Sequence, residues 1–353
     1  MGHSIFYEER RIGMIQSMKF WIGFSILMVF IFSSLSFEWF FDSKVRQVQL
    51  LYDDQKNLIG GAPFDPSLMF PLGTDRHGYD ISHKVLQGAK FTLIAVIAIG
   101  VFRVLFSFIV AIPFAFYLPD KFRKGLDQLL SSFYFIPLTI IAVFILSPIL
   151  REQLNAQGEE FFLYSFFARV SLEVIILTLL VVPLLGSMIG NMMASILKED
   201  FIDSAQLLGA SRWRIFKKHV IPHLLPKLVI VWCQQCVQVL IIFTHLGYLK
   251  LFFGGTDIDF NPMMADPPKS MSNEWSGLIG DYYILIHANP SIALGPIIMF
   301  GIAIYAFQLL GEGFQQHLQT RHNKKVKRDR MSGKQNPVSE PRLSFDFVHK
   351  SGA

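Results

Sequence analysis

The sequence is poor in charged residues and contains only two cysteines. Asp, Glu, Lys and Arg make up 17% of its 353 residues, whereas soluble domains carry about 25%. Hydrophobic residues make up 52%, so the composition excludes an ordinary soluble domain and indicates a membrane protein. Cys233 and Cys236 lie inside an apolar run and do not indicate a disulfide framework. Their Cys-x-x-Cys spacing occurs in redox enzymes, but within an apolar helix packing is the better interpretation.

The chain also lacks two kinds of binding motif. It has no Gly-x-x-x-x-Gly-Lys-Ser/Thr loop to cradle phosphate, so we predict that it supplies no nucleotide site of this type. Its histidines do not cluster at metal-ligand spacing, which favours loop and surface histidines and predicts no metal site. The histidines concerned are His77, His83, His219, His223 and His287.

Long apolar runs are what the sequence has in abundance. A helix needs about 20 apolar residues to cross the hydrocarbon core, and six runs approach or exceed that length. They cover 20–41, 91–118, 127–150, 170–194, 227–249 and 291–312. The first has no convincing small-residue cleavage site at its outer end, which favours an uncleaved signal anchor. The sequence therefore predicts an all-α, polytopic membrane protein with about six transmembrane helices.

The distribution of Lys and Arg predicts the orientation of these spans. Alternate polar segments hold 20 Lys and Arg residues on one side and 10 on the other. Cytoplasmic loops carry the excess, so both termini are predicted to be cytoplasmic. The richer segments are 1–19, 119–126, 195–226 and 315–353, and the poorer ones are 42–90, 151–169 and 250–290. Anionic lipid explains the basic run 321–328 and the net charge of +5 better than nucleic acid does.

These features divide the chain into five predicted regions. A cytoplasmic segment is followed by the signal anchor, an external loop with an interfacial helix near 80–90, and a core of five spans. That core contains a cytoplasmic loop at 195–226. The tail is basic and offers too little apolar surface to fold, so we expect it to be disordered. The regions are 1–19, 20–41, 42–90, 91–314 and 315–353.

The polar segment 199–222 between two apolar runs has the pattern of two short amphipathic helices. Gly209 can adopt the positive φ that ends the first helix, and Ser211 can cap the second. The result is a predicted helix-turn-helix elbow, whose apolar stripes either dock on a protein partner or lie on anionic lipid. The stripes are Phe201, Ala205 and Leu208 before the turn, and Trp213, Phe216 and Val220 after it.

Polar residues inside the apolar runs are the second set of candidates. Gln234, Gln238 and His245 fall close to one face of a helix, where they either line a substrate path or form hydrogen bonds between helices. Arg103 lies near the middle of its run and should face the interior of the bundle. Its predicted partner is Glu173, a backbone carbonyl or an anionic part of the substrate.

Three separated segments resemble a known family. The elbow resembles the cytoplasmic signature loop of ABC importer permeases, with Asp203 in place of the usual Glu. Two other segments are similar to the oligopeptide/dipeptide/nickel permease group, although Tyr79 replaces an Arg and Glu312 an Asp. The resemblance covers roughly residues 70–320. The matching residues are Asp203-Ser204-Ala205, Gly209 and Ile221-Pro222 in the elbow, and Pro71-Leu72-Gly73-Thr74-Asp75 and Leu309-Leu310-Gly311-Glu312-Gly313 elsewhere.

The resemblance implies a permease subunit with the type I ABC importer fold in the bacterial plasma membrane. Such a subunit is not an enzyme; it pairs with a second homologous permease, two ABC ATPase subunits that use ATP and Mg²⁺, and an external solute-binding protein. The elbow would then couple to the ATPases through Phe201, Asp203, Ala205, Leu208, Gly209, Trp213 and Phe216. Peptides are the first cargo that the resemblance implies. The alternatives are nickel or another solute, an ATP-independent channel or secondary carrier, and an intramembrane oxidoreductase using the two cysteines.

Overall fold

A computed structural model describes residues 2–41, 44–53, 55, 57–155, 158–258, 269–287 and 289–331. Side chains are described from residue 18 to residue 320 of these ranges, apart from Tyr134 and Leu285. The part of the predicted tail from 332 to 353 lies outside the described residues.

Helices dominate the described part of the chain, as the composition predicts. The α-helices are α1 (Gly2–Phe41), α2 (Ile81–Phe116), α3 (Asp120–Ser132), α4 (Leu138–Leu150), α5 (Phe166–Leu179), α6 (Val182–Leu197), α7 (Asp200–Leu207), α8 (Arg212–Ile215), α9 (Ile221–Tyr248), α10 (Trp275–Tyr282) and α11 (Pro290–Met331). Short 3₁₀ segments occur at Phe133–Phe135 and Tyr283–His287, and a π-helix at Phe216–Val220 joins α8 to α9.

Short antiparallel strand pairs occur in the loops between helices. They are β1 (Leu50–Tyr52) with β2 (Leu58–Gly61), β3 (Gln153–Leu154) with β4 (Glu160–Phe161), and β5 (Thr256–Asp257) with β6 (Lys269–Ser270). Each pair lies in a segment that the Lys and Arg distribution predicts to be external. They shape the surface at one end of the helical bundle.

Most of each predicted apolar run is helical, which confirms the all-α polytopic architecture. Four helical stretches are long and apolar enough to cross a membrane: Met18–Phe41, Ile81–Phe116, Arg212–Tyr248 and Pro290–Thr320. Together α5 and α6, which meet at an angle of 44°, are also long and apolar enough to form one bent span. The remaining run includes α4, an apolar helix of 13 residues.

The predicted span 127–150 is broken in the structure. Residues up to Ser132 belong to α3, and α4 begins only at Leu138. Pro137 explains the break because it donates no backbone hydrogen bond and disfavours helical backbone at the residue before it. Ile136 is accordingly extended, with a ψ of 119°. Apolar content alone did not reveal this interruption.

Two other helix bounds differ from the predicted regions. Residues 81–90 form the first turns of α2, which Asp80 caps through a 2.9 Å hydrogen bond from the Ser82 amide, so they are not a separate interfacial helix. Likewise α11 continues to Met331, so that residues 315–331 are helical and not disordered. Neither stretch contains a proline, and Gly88 is the only glycine in them, so little in either sequence breaks a helix.

The buried core has two parts that meet along α9. The larger part packs α2, α9, α10 and α11 around side chains such as Trp275 and Phe307. The smaller part joins α2 and α6 to the elbow through Ile189, Ile202 and Val220. The elbow is therefore continuous with the packed interior.

Candidate coupling and translocation sites

The segment 199–222 forms the predicted elbow. The first helix, α7, ends at Leu207, and Gly209 follows with a φ of +79°, the left-handed conformation that commonly ends helices. The Ala210 amide donates to the Ala205 carbonyl at 3.0 Å, which closes the turn. Ser211 then caps α8 by accepting a hydrogen bond from the Arg214 amide at 3.3 Å. Local sequence chemistry thus accounts for the bend.

The inner face of the elbow is buried against this chain's own helices. Ile202, Ile215 and Val220 are buried in the smaller core. Phe216 is only 7% exposed, and its ring centroid lies 5.8 Å from that of Phe116 on α2. The structure therefore differs from the expectation for Phe216: it attaches the elbow to the bundle and offers no surface to a partner.

The outer face of the elbow carries exposed apolar side chains. Leu207, Leu208 and Trp213 are 89%, 87% and 69% exposed. Phe201 is more covered, since its ring stacks on His223 at a centroid distance of 5.3 Å. Exposed apolar groups concentrated in one place mark interaction surfaces. We call Leu207, Leu208 and Trp213 the elbow surface.

Asp203 and Ala205 were predicted to take part in coupling, whereas Leu207 was not. Asp203 is exposed and Ala205 is half-buried on α7. Leu207 was missed because the helical stripe counted from Phe201 passes through Leu208 and excludes its neighbour. The signal that would have identified it is its place in the last turn before Gly209, where the helix end leaves both leucines uncovered.

An ion-pair cluster braces the start of the elbow. Asp120, at the first turn of α3, accepts a 3.3 Å hydrogen bond from the Lys198 Nζ and pairs with Arg123. The hydrogen bond from Lys198 and the charge of Arg123 together hold the pKa of the Asp120 carboxyl below its usual range. Lys198 directly precedes the residue that begins the elbow, so the cluster links α3 to it.

The predicted polar residues of α9 lie on a face that the described residues leave open in part. Gln234 and His245 are exposed and Gln238 is half-buried. The His245 Nδ1 lies 3.2 Å from the Thr139 hydroxyl on α4. Ile241 is exposed on the same face. A partly polar, uncovered stripe is what a helix lining a solute path requires.

Arg103 lies on the buried side of this stripe, where side chains and a backbone carbonyl of neighbouring helices bind it. The side chain is buried, and its Nε donates to the Leu177 carbonyl at 2.9 Å. Its NH1 donates to the Oε1 atoms of Gln238 and Gln235 at 3.2 and 3.4 Å. Gln235 was missed because it falls beside the stripe and not on it. Arg103 therefore positions Gln238, and it does not itself reach the open face.

The predicted pairing of Arg103 with Glu173 is wrong. Glu173 is buried further toward the opposite end of α5, where it accepts a 3.1 Å hydrogen bond from the Gly254 amide. The alternative of a backbone carbonyl partner is the one that the structure shows, through Leu177. The partner depends on depth along α5. Leu177, one turn after Glu173, lies level with Arg103, and its carbonyl accepts the hydrogen bond from the guanidinium.

The two cysteines are buried between helices. Both are free, and the Cys236 Sγ lies 3.9 Å from the Val96 carbonyl on α2. Cys233 faces Gly311 of α11. This is the placement expected of packing residues.

Comparison with known proteins agrees with this architecture. Residues 101–324 match the family described as binding-protein-dependent transport system inner membrane component. The chain is 24% identical to the glutathione transport system permease protein GsiD of Escherichia coli (strain UTI89) and of Shigella sonnei, and 25% identical to that of Salmonella typhimurium. Each match extends over 273 residues and covers 76% of either chain.

The family match includes the elbow, all of α9 and most of α11. The match covers more than half of the chain. The structure agrees with it, since the elbow is continuous with the core, α9 has a partly polar open face, and the chain has about six apolar helices. The chain belongs to the family of binding-protein-dependent transport system inner membrane components, and it is a multi-pass permease of the ABC importers.

Proposed function

We propose that the chain forms half of the translocation path of an ATP-driven importer of small peptides, and that the elbow couples this path to an ATPase partner. The observation that carries the proposal is the two-sided elbow. Its inner face belongs to the packed core, while the elbow surface is apolar and uncovered.

The elbow is suited to transmit force because its bend is fixed and its inner face is packed against the bundle. Gly209 sets the angle between α7 and α8, and Ile215 and Phe216 attach α8 to the bundle. Packed interiors move as units and do not deform continuously, so displacement of the elbow surface would move α6 and α9 with it. The partner would be one of two ATPases that use ATP and Mg²⁺.

The remaining parts of the proposal concern the other partners and the orientation. A second homologous permease would cover the open face of α9 and complete the path, with Gln234, Gln238 and His245 lining it. A solute-binding protein would dock at the opposite, external end of the bundle. In this arrangement both termini are cytoplasmic, lipid surrounds the bundle, and this chain binds neither metal nor nucleic acid.

A small peptide is the cargo that the relatives support. The proteins matched are named for glutathione transport, and the resemblance to oligopeptide and dipeptide permeases points to the same class of solute. The partly polar face of α9 is compatible with a peptide because its amide and imidazole groups can replace water around peptide polar groups.

The experiment is co-purification of the assembled complex. We expect Leu208→Ser combined with Trp213→Ala to abolish recovery of the ATPase chains and ATP-dependent uptake, since each interface anchor contributes roughly 2 kcal/mol or more, about thirtyfold in affinity. The control is Leu68→Ser, which changes a fully exposed leucine in the segment before α2.

Undiminished recovery of the ATPases with the double variant would refute the coupling role of the elbow. Uptake by this chain without any ATPase would instead favour an ATP-independent channel or carrier. Size-exclusion profiles matching that of the wild type would show that the variants are folded.

A further inference from the structure

A cavity of about 420 Å³ lies at the end of the bundle opposite the elbow. Its wall combines four parts of the chain: Gln47 before β1, the turn that leads into α2 with the start of that helix, the segment around β6, and the end of α10. The volume falls within the range of small-molecule sites, roughly 300–1,000 Å³. The cavity is distinct from the α9 face, because none of Gln234, Gln238 and His245 lines it.

The cavity wall carries charges of both signs in nearly equal number. Two carboxylates, Asp75 and Asp281, face it together with three cationic side chains, Arg76, Lys84 and Lys269. A wall of one sign would select a simple ion. This mixture instead matches a solute that carries an ammonium group and a carboxylate.

One ammonium group is already bound in this wall. The Lys84 Nζ donates to the Asp75 Oδ2 at 2.8 Å and lies 4.9 Å from the ring centroid of Tyr79 and 5.7 Å from that of Tyr282. A carboxylate and aromatic faces together form a favourable environment for a cation. The Tyr282 hydroxyl also donates to the same Asp75 oxygen at 3.3 Å.

Asp75 has no capacity left for a second cation. Its Oδ1 accepts 2.9 Å hydrogen bonds from the amides of His77 and Tyr79, and its Oδ2 is occupied by Lys84 and Tyr282. These bonds fix the turn before α2. Asp75 therefore builds the wall, and another acceptor must receive any cationic group that enters.

Asp281 is that acceptor. Among the described residues nothing donates a hydrogen bond to its Oδ1, which is buried. Burial raises the pKa of this carboxyl from 3.8 to about 7, against the lowering effect of Lys84. A carboxylate that is largely removed from water is costly. Because Asp281 lines the cavity, a cation bound there would offset the negative charge of this carboxyl group.

We propose that this cavity receives the primary ammonium group of a small zwitterionic solute, with Asp281 as its acceptor. Lys269 and Arg76 provide the positive potential for the carboxylate at the other end of the solute. The site is a reception site outside the path of α9. Its position on the external side rests on the proposed function and orientation, whereas its chemistry rests on the cavity alone.

The test measures binding of glycylglycine to the full chain in lipid nanodiscs by ligand-detected NMR. We expect N-acetylation of the dipeptide, which removes the ammonium group, to weaken binding at least tenfold. Asp281→Asn should weaken glycylglycine binding by a similar factor. Asp65→Asn, which removes an exposed carboxylate of the same loop region outside the cavity, should leave binding unchanged.

Equal binding of the acetylated and free dipeptides by the wild type would overturn the proposal even if Asp281→Asn failed to fold. Absence of glycylglycine binding by the wild type would overturn it as well. Ethanolamine lipid headgroups carry the same ammonium chemistry, so the discs are prepared with and without phosphatidylethanolamine. Displacement of glycylglycine by that lipid would assign the cavity to a headgroup and overturn the solute assignment.

This measurement is independent of the coupling role of the elbow. It uses neither ATP nor the ATPase chains, so the co-purification experiment can fail while ammonium binding is retained. Conversely, loss of binding in Asp281→Asn would not affect recovery of the ATPases.

Discussion

At the scale of single residues, Gly209 has the clearest physical constraint. Its φ of +79° lies in the left-handed region, and a Cβ at this position would meet no heavy atom within 4 Å. The requirement for glycine is therefore conformational and not steric. A side chain would cost about 1–3 kcal/mol in backbone strain without any clash.

We expect Gly209→Val to insert and fold but to lose at least tenfold in ATP-dependent uptake. A β-branched residue avoids positive φ, so the elbow would straighten or twist and its surface would leave the ATPase. Uptake in proteoliposomes measures this directly. The matched control is Gly125→Val, because Gly125 also has open space around its Cβ position but lies within α3 without a positive φ. Normal uptake by Gly209→Val would show that the bend is dispensable.

At the scale of elements, α1 and α11 pack with their backbones in close contact. A Cβ on Gly23 would lie 2.4 Å from the Ala306 carbonyl oxygen, and one on Gly313 would lie 2.5 Å from the Phe20 nitrogen. Lys19 and Glu312 form an ion pair at 2.9 Å beside this contact. Small residues permit such approach between membrane helices, where lipid removes most of the hydrophobic drive for association. This explains Gly313, the second of the two glycines in the Leu309–Gly313 segment that carries the family resemblance.

Enlarging Gly23 should separate the two helices. We expect Gly23→Val to lower the free energy of unfolding by about 1–3 kcal/mol through overpacking, seen as a lower melting temperature in detergent. Gly301→Val serves as the control, since Gly301 lies on α11 with nothing within 4 Å of its Cβ position. Equal melting temperatures for the two variants would contradict the close packing of α1 on α11.

At the scale of the whole molecule, the two functional ends lie on opposite sides of the helical bundle. The elbow occupies one end, and the strand pairs with the solute cavity occupy the other. This separation agrees with the Lys and Arg distribution, which predicts the elbow inside and the strand pairs outside. The two cysteines are buried in between, so a cysteine added at either end can be labelled selectively.

The predicted orientation can therefore be tested with a membrane-impermeant maleimide. In cells that produce this chain without its ATPase partners, we expect labelling of Leu58→Cys on β2 in intact cells, and labelling of Leu207→Cys only after permeabilisation. Both positions are exposed in the chain but lie at opposite ends. The unmodified chain is the control and should remain unlabelled. Labelling of Leu207→Cys in intact cells would show that the elbow is external and that the predicted orientation is wrong.

Much of the architecture was contained in local sequence. Apolar length predicts the spans, and the Gly209 and Ser211 signals predict the elbow, because helix ends depend on the conformational range and hydrogen bonds of a few neighbouring residues. The interruption at Pro137 was also present in the sequence as a local signal. The apolar residues around Pro137 nevertheless led to the prediction of one continuous span. In the same way, the polar residues at the end of α11 led to the prediction of a helix that is too short.

What the tertiary structure alone decided is which side of each element is covered, and by what. Periodicity placed Phe216 on a stripe, but only the approach of Phe116 from α2 made that stripe internal and left Leu207 and Leu208 outside. Arg103 likewise required a partner, and the relative depths of α2, α5 and α9 gave it Leu177, Gln235 and Gln238. The sequence by itself determined the helices, the membrane and the bend, since these depend on neighbouring residues. The contacts between distant segments, including the cavity around Asp281, depend on how those helices pack.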